Sequence, residues 1–230
     1  MKSYLATLAL SLLLVPCARA QVGYPPTRSP YVDLEYSQSL SLFGGYYSAR
    51  ADPAGVAPGS GPQIGLHYEW RATGPANLTA EISRIGSSRV VLNPANPPAT
   101  RVVGDPNWPI YTASAGLGLG LTGAKSWHSM VPEVTAGLGF QSDFRKADVG
   151  GFKYGTRFAI SWGAALRYLT GGRYALRIDL NNHLSTVAYP QSYYTSTTTS
   201  GAPILTDKTP NSIWRNNTSI TVGLSYLYSR

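Results

Sequence analysis

The chain has 230 residues, with 19 Lys and Arg against 11 Asp and Glu, and a single cysteine. That length suits one domain of ordinary size. Cys17 being the sole cysteine, a disulfide framework is excluded. The basic surplus, in a chain bearing an export signal, is a weak pointer to nucleic acid and fits an acidic, phosphate-rich envelope surface equally well.

The export signal is the opening "MKSYLATLALSLLLVPCARA". Lys2, an apolar stretch from Leu5 to Val15 and the Ala18-Arg19-Ala20 site form a signal peptide over residues 1–20, with cleavage near Ala20. Cys17 would suit a lipoprotein, but Pro16 stands where a small residue is needed. Cleavage removes that cysteine, so the mature chain has neither a thiol nucleophile nor a thiolate metal site. A Pro-rich tail covers residues 21–30, and residues 31–230 form the domain. No later segment has the apolar length of a membrane-spanning helix.

From Tyr31 onward the pattern is period two, which is that of a sheet with two unlike faces. "YVDLEYSQSLSLF" sets Val32, Leu34, Tyr36, Leu40 and Leu42 against Asp33, Glu35 and serines. "QIGLHYEW" and "NLTAEIS" continue it, and "YTASAGLGLGLT" sets apolar residues against Thr, Ser and glycine. "VTAGLGF", "RFAISWGAALRY", "RYALRIDL" and "SITVGLSYLY" complete eight such strands. Most have about the 9–11 residues a tilted strand needs to cross a bilayer. Their connections alternate. "RATGPA" and "LTGG" are short and "TGAKSWHS" is intermediate, whereas residues 44–62, 86–109, 142–153 and 185–213 are long and rich in Gly, Pro, Ser, Thr, Asn and Tyr. The fold class is therefore all-β, an eight-stranded antiparallel up-and-down transmembrane barrel.

The chain end "TVGLSYLYSR" resembles the assembly signal of outer-membrane barrels, with Thr221, Gly223, Tyr226 and Tyr228 in its defined positions and Ser229-Arg230 beyond them. With the strand pattern, it is similar to the small eight-stranded barrels of the OmpA, OmpX and OmpW kind. That resemblance implies a bacterial, Gram-negative outer-membrane location and reading of the last strand by the barrel-assembly machinery. Contact with outer-membrane lipid and lipopolysaccharide is implied too.

The opposite orientation, a soluble lipocalin-like binding barrel, would turn the apolar set inward. Aromatics near the strand ends favour the membrane orientation. Trp70, Tyr168, Tyr174, Tyr226 and Tyr228 stand at the short-turn side, and Trp108, Tyr111, Phe140 and Tyr154 at the other. In that orientation Asp33, Glu35, Glu69, Glu81, Glu133, Arg157, Arg167, Arg173, Arg177 and Asp179 face the lumen. They are expected to form an ion-pair plug, because an eight-stranded interior is only wide enough for side chains.

Further candidates are few. His183 and Ser185 in "NNHLSTV" resemble the His-x-Ser pair of the lipid A deacylase barrels, but the acid of a triad is missing, Asp207 being the only one downstream. "GLGLGLTGAKS" lacks the Gly-Lys-Ser/Thr order of a phosphate loop. His67 and His128 have no partners at metal-ligand spacing, and no metal or cofactor is expected. Tyr189, Tyr193 and Tyr194, beside a Ser/Thr run, could make surface contacts with an unknown ligand. The expectation is a non-enzymatic barrel acting in envelope integrity or surface interaction through its long loops. The alternatives are a narrow conduit for small hydrophobic molecules, a lipid A hydrolase using His183 and Ser185, or the soluble binding barrel.

Overall fold

The structure is a computed structural model that describes residues 29–195 and 202–229. The signal peptide with its cleavage near Ala20, almost all of the Pro-rich tail and the Ser/Thr run at 196–200 lie outside the described residues. Eight antiparallel strands close into a barrel. They are β1 (Tyr36–Ser48), β2 (Gly61–Thr73), β3 (Ala76–Ile85), β4 (Ile110–Gly120), β5 (Met130–Ser142), β6 (Thr156–Leu169), β7 (Tyr174–Ala188) and β8 (Ser212–Ser229). Each pairs with its neighbours in sequence, and β8 returns to pair with β1. Closure leaves no unpaired edge, which is how an all-β chain can sit in hydrocarbon.

The alternation predicted from sequence sorts the side chains. Leu66, Tyr68 and Trp70 on β2, Leu117 and Leu119 on β4, and Ile220, Val222 and Leu224 on β8 face outward and are exposed. Ser39, Ser41, Glu69, Asn77, Glu133, Gln141, Arg167, Arg177 and Ser219 face inward and are buried. The short turns follow local chemistry. Between β2 and β3, Gly74 at φ +54° supplies the positive φ the tight turn needs. Between β4 and β5, Lys125–Trp127 extends the hairpin, and His128 and Ser129 both take positive φ to close it.

Three expectations about strand limits are corrected. Tyr31–Asp33 is not part of the first barrel strand but pairs with Lys125–Trp127 at the short-turn end. The barrel strand begins at Tyr36, and a bulge there, where Tyr228 faces Gln38 but Ser229 faces Tyr36, turns Tyr36 inward although its parity had set it on the outer face. β1 runs on to Ser48, β7 to Ala188, and β8 starts at Ser212, all within stretches expected as loop. There the inward set goes on, with His183, Ser185, Arg215 and Asn217 buried, while outer partners such as Asn182 and Asn216 are polar. The strands thus outlast the apolar belt.

Two apolar clusters lie inside the barrel ends. At the short-turn end Tyr36, Ala175 and Leu227 pack together. At the long-loop end the loops fold over the mouth and build a larger core from Tyr47, Val56, Ile85, Ile110, Phe152, Tyr154, Val187, Tyr189, Tyr193 and Leu205.

Candidate functional site

The lumen between these clusters is the candidate site. In its short-turn half, Arg167 of β6 and Arg177 of β7 stand directly opposite in register, an arrangement that is unfavourable for like charges. Carboxylates from facing strands resolve it. Glu69 of β2 receives Arg167 at 3.1 and 2.6 Å and Arg177 at 3.1 Å. Glu133 of β5 receives Arg177 at 2.8 Å, and Asp179 accepts from the same guanidinium at 2.9 Å. Arg167 also donates to the hydroxyl of Tyr36, which the bulge in β1 has turned toward it. The side chains of Arg167, Arg177, Glu69 and Glu133 are at most 1% exposed. They are desolvated groups whose partners are one another.

Above this layer, His67 of β2 meets Glu81 of β3 at 3.3 Å. A polar cavity of about 30 Å³ lies between His67, Glu81, Thr135, Asp179, Asn181 and His183, enough room for water. Higher still, Gln63 donates to Ser83 at 2.9 Å, Ser83 lies 2.7 Å from Thr112, and Tyr154 donates to Gln141 at 3.0 Å. Phe43 covers the glycine opposite it in register, since a Cβ on Gly65 would lie 2.6 Å from the ring of Phe43.

The loop core closes the mouth. Tyr189 donates to Asp52 at 2.8 Å, and that carboxylate also caps the amide of Ala57 at 3.0 Å. Asp148 holds the backbone amides of Gly150 and Phe152 at 3.0 Å each and pairs with buried Arg89 at 2.8 Å. The Arg89 guanidinium lies 4.3 Å from the centre of the Trp108 ring and 5.0 Å from that of Phe152. Burial raises the hydroxyl pKa of Tyr189 and of Tyr193 above the ordinary tyrosine value, and the nearby carboxylates of Asp52 and Asp148 add to the effect. Arg215 at the mouth donates to the carbonyl of Arg50 at 2.8 Å and to that of Pro58 at 3.3 Å, tying the first long loop to β8.

Several expected site residues lie elsewhere. Asp33 is exposed and pairs with Lys125 at 3.6 Å, outside the lumen, and Glu35 is exposed in the link before β1. Both fall short of the barrel because β1 starts later than its periodicity suggested. Arg157 faces inward at the mouth, where it donates to the carbonyls of Tyr154 and Lys153 and not to an acid. Arg173, in the β6–β7 turn, is exposed and donates to Tyr226. Tyr189 and Tyr193 are buried in the loop core and so are not surface-contact residues; Tyr194 alone of the three is partly exposed, donating to the carbonyl of Pro210 at 3.0 Å. Tyr154 likewise belongs to that core, and Trp108 lies against Arg89, so neither joins an aromatic girdle.

His183 and Ser185 share a face but do not meet. The His183 Nε2 lies 3.0 Å from the Ser219 hydroxyl, and Ser185 donates to Gln141 at 3.3 Å. Two residues along one strand are about 6.6 Å apart, too far for a direct bond unless the side chains lean together. Both are buried on the lumen side, away from lipid. Sequence reading missed Tyr36, Arg89 and Arg215; the last two are single arginines in stretches expected as loop or strand margin, with no periodic signal to mark them.

The outer surface completes the geometry. A belt of exposed Leu, Ile, Val and aromatic side chains circles the barrel, while the charges of the lumen layer are turned inward and paired. At its short-turn rim, Trp70, Tyr168, Tyr174 and Tyr228 point outward, with Tyr226 packed edge-on to Tyr174 and Tyr228. In water such a surface would be a very large exposed apolar patch, whereas in hydrocarbon it is the solvated face. The chain is an eight-stranded membrane-type barrel.

No family model matches the sequence, nor does any curated protein. Among solved structures, Neisserial surface protein A is similar at 10% identity and a TM-score of 0.49, over 87% of this chain and 98% of that one. The outer-membrane protein OprG from Pseudomonas aeruginosa is similar at 11% identity and a TM-score of 0.49, over 86% and 99% of the two chains. Outer membrane protein W of E. coli is similar at 14% identity and a TM-score of 0.44, over 84% and 99%. These are resemblances in the course of the chain. The fold assignment rests on strand count, closure and the outward belt.

Proposed function

We propose that the protein is a non-enzymatic barrel of the bacterial outer membrane whose lumen is closed, and that it serves envelope integrity or surface interaction through its capped outer end. The observation that carries this reading is the double closure. A buried ion-pair layer of Glu69, Glu133, Arg167, Arg177 and Asp179 crosses the lumen, and an apolar loop core fills its mouth. With the described residues packed in both layers, a conduit for small hydrophobic molecules would have to open both. Export through the signal peptide at 1–20, and recognition of Thr221, Gly223, Tyr226 and Tyr228 by the barrel-assembly machinery, are part of the same proposal. Lipid and lipopolysaccharide are the neighbours that its belt suits.

The working face is then the outside of the cap. Val102, Val103 and Val149 are exposed there among polar loop residues, a mixture that suits contact with a macromolecule more than catalysis. The test is electrical. The purified barrel, inserted in a planar bilayer and verified by its gel shift on boiling, is expected to give no conductance steps. Steady single-channel openings would overturn the closed-lumen reading.

A further inference from the structure

The outer belt is not uniform. β7 and β8 present Leu176, Ile178, Leu180, Ile220, Val222 and Leu224 with no small residue among them. Across β2 to β5 the rows read differently. One runs Tyr68, Ala80, Ala115, Leu138, and the next Leu66, Ile82, Ala113, Phe140. The alanines form a floor, and the larger side chains form walls around two adjoining depressions of about 620 and 390 Å³ that share Leu66, Ile82, Ala113 and Phe140. Four residues further up β3, the groove ends at Arg84, which faces outward opposite Tyr111 in register. At about 3.3 Å per residue the apolar part is ~13 Å long.

The upper end is cationic. Arg84 is exposed, and neither it nor Arg145 or Lys146 pairs with an acid among the described residues. Phe144, between the strand end and that basic pair, takes a positive φ of +50° and is 70% exposed. Its ring lies 5.8 Å from that of Tyr111, above the groove. An apolar trough of this length with an unpaired arginine at its outer end matches a lipid whose acyl chain lies along the strands and whose phosphate meets the guanidinium. The match in charge selects a phosphorylated lipid over a neutral one.

We propose that this groove is a binding site for a phosphorylated glycolipid of the outer leaflet, with one acyl chain on Ala80, Ala113 and Ala115 and a headgroup phosphate on Arg84. The proposal rests on the outer-membrane reading given above. The test uses the full folded chain in bilayer discs of a neutral phosphocholine lipid doped with bisphosphorylated lipid A, released into mild detergent and weighed intact. Wild type is expected to keep one lipid A. Arg84→Gln should keep about fivefold less, the worth of one cation near a phosphate surface. The groove-filling pair Ala80→Leu and Ala115→Leu should keep none, while Ala164→Leu, one such substitution on the outer face of β6 away from the groove, should match wild type.

Equal retention by the filled variant, or retention of phosphocholine lipid in place of lipid A, would overturn the site. A mass of two barrels, lost on filling the groove, would instead assign the face to a second copy and overturn it as well. A chain that enters no disc and shows no gel shift would refute the membrane reading itself, and the groove would fall with it.

Discussion

Replacing Glu69 by Gln is the sharpest perturbation of the lumen. Arg167 would lose its charged bonds of 3.1 and 2.6 Å and be left with Glu133 at 3.7 Å as its nearest carboxylate. Removing one member of a buried pair costs about 3–5 kcal/mol, because the remaining charge is poorly paired and not hydrated. The matched change Glu133→Gln is milder. Arg167 would keep Glu69, and Arg177 would keep both Glu69 and Asp179, so the loss is near that of one charged hydrogen bond, about 1.5–3 kcal/mol. The double variant Arg167→Met, Glu69→Gln removes both partners and should cost less than the sum of the single changes by up to about 3 kcal/mol. Urea titration of the vesicle-inserted barrel, followed by tryptophan fluorescence, reads these three variants and Arg167→Met alone. If Glu69→Gln cost no more than Glu133→Gln, or if the double variant were additive, the ion-pair layer would not hold the lumen together as argued.

Tyr193→Ala should leave a cavity among Phe152, Tyr189 and Leu205, worth about 3–5 kcal/mol to the loop core. Nicking of the long loops by protease should rise, with the gel-shift temperature of the barrel unchanged. Tyr189 and Tyr193 also make the cap sensitive to alkali. Their folded pKa values are raised, so the stability they lend is whole below the unfolded tyrosine value of about 10 and is lost as pH climbs through the folded values. Loop nicking that stays flat between about pH 8 and 12 would contradict this. Gly65→Val would drive a side chain into the carbonyl of Ile82 and the ring of Phe43, and should abolish the heat-modifiable band. Ser185→Ala should leave lipid A chemically unaltered relative to wild type; a difference by mass spectrometry would revive the hydrolase alternative.

The barrel was legible because a strand with lipid on one side and a packed lumen on the other must alternate, and eight stretches of this chain carry that pattern. Inward charges were legible for the same reason, since Glu69, Arg167 and Arg177 occupy polar positions between apolar ones. What parity cannot encode is a bulge. One extra residue near Ser37 turned Tyr36 from the expected outer face to the bidentate pair of Arg167 and Glu69. The loops were least readable. Tyr189 and Tyr193 sit in a polar, Ser/Thr-rich stretch whose composition resembles an exposed contact surface, yet their burial depends on Val56 and Phe152 from two other loops and on Leu205 from the far side of their own. No window along the chain contains that information.

The seam between β1 and β8 has a kinetic consequence. Ser41 and Ser225, whose hydroxyls lie 2.7 Å apart inside the wall, are 184 residues apart in sequence. Glu69 and Arg167, the centre of the ion layer, are separated by 98 residues. Contacts this distant are late to form, because loop-closure entropy must be met before they can stabilise anything. Until the first and last strands zip together, the lumen is an open trough, with its arginines and glutamates facing whatever medium surrounds the chain. In hydrocarbon that trough would be prohibitive, so strand pairing and insertion must proceed together, and the ends of the chain decide when the middle becomes dry.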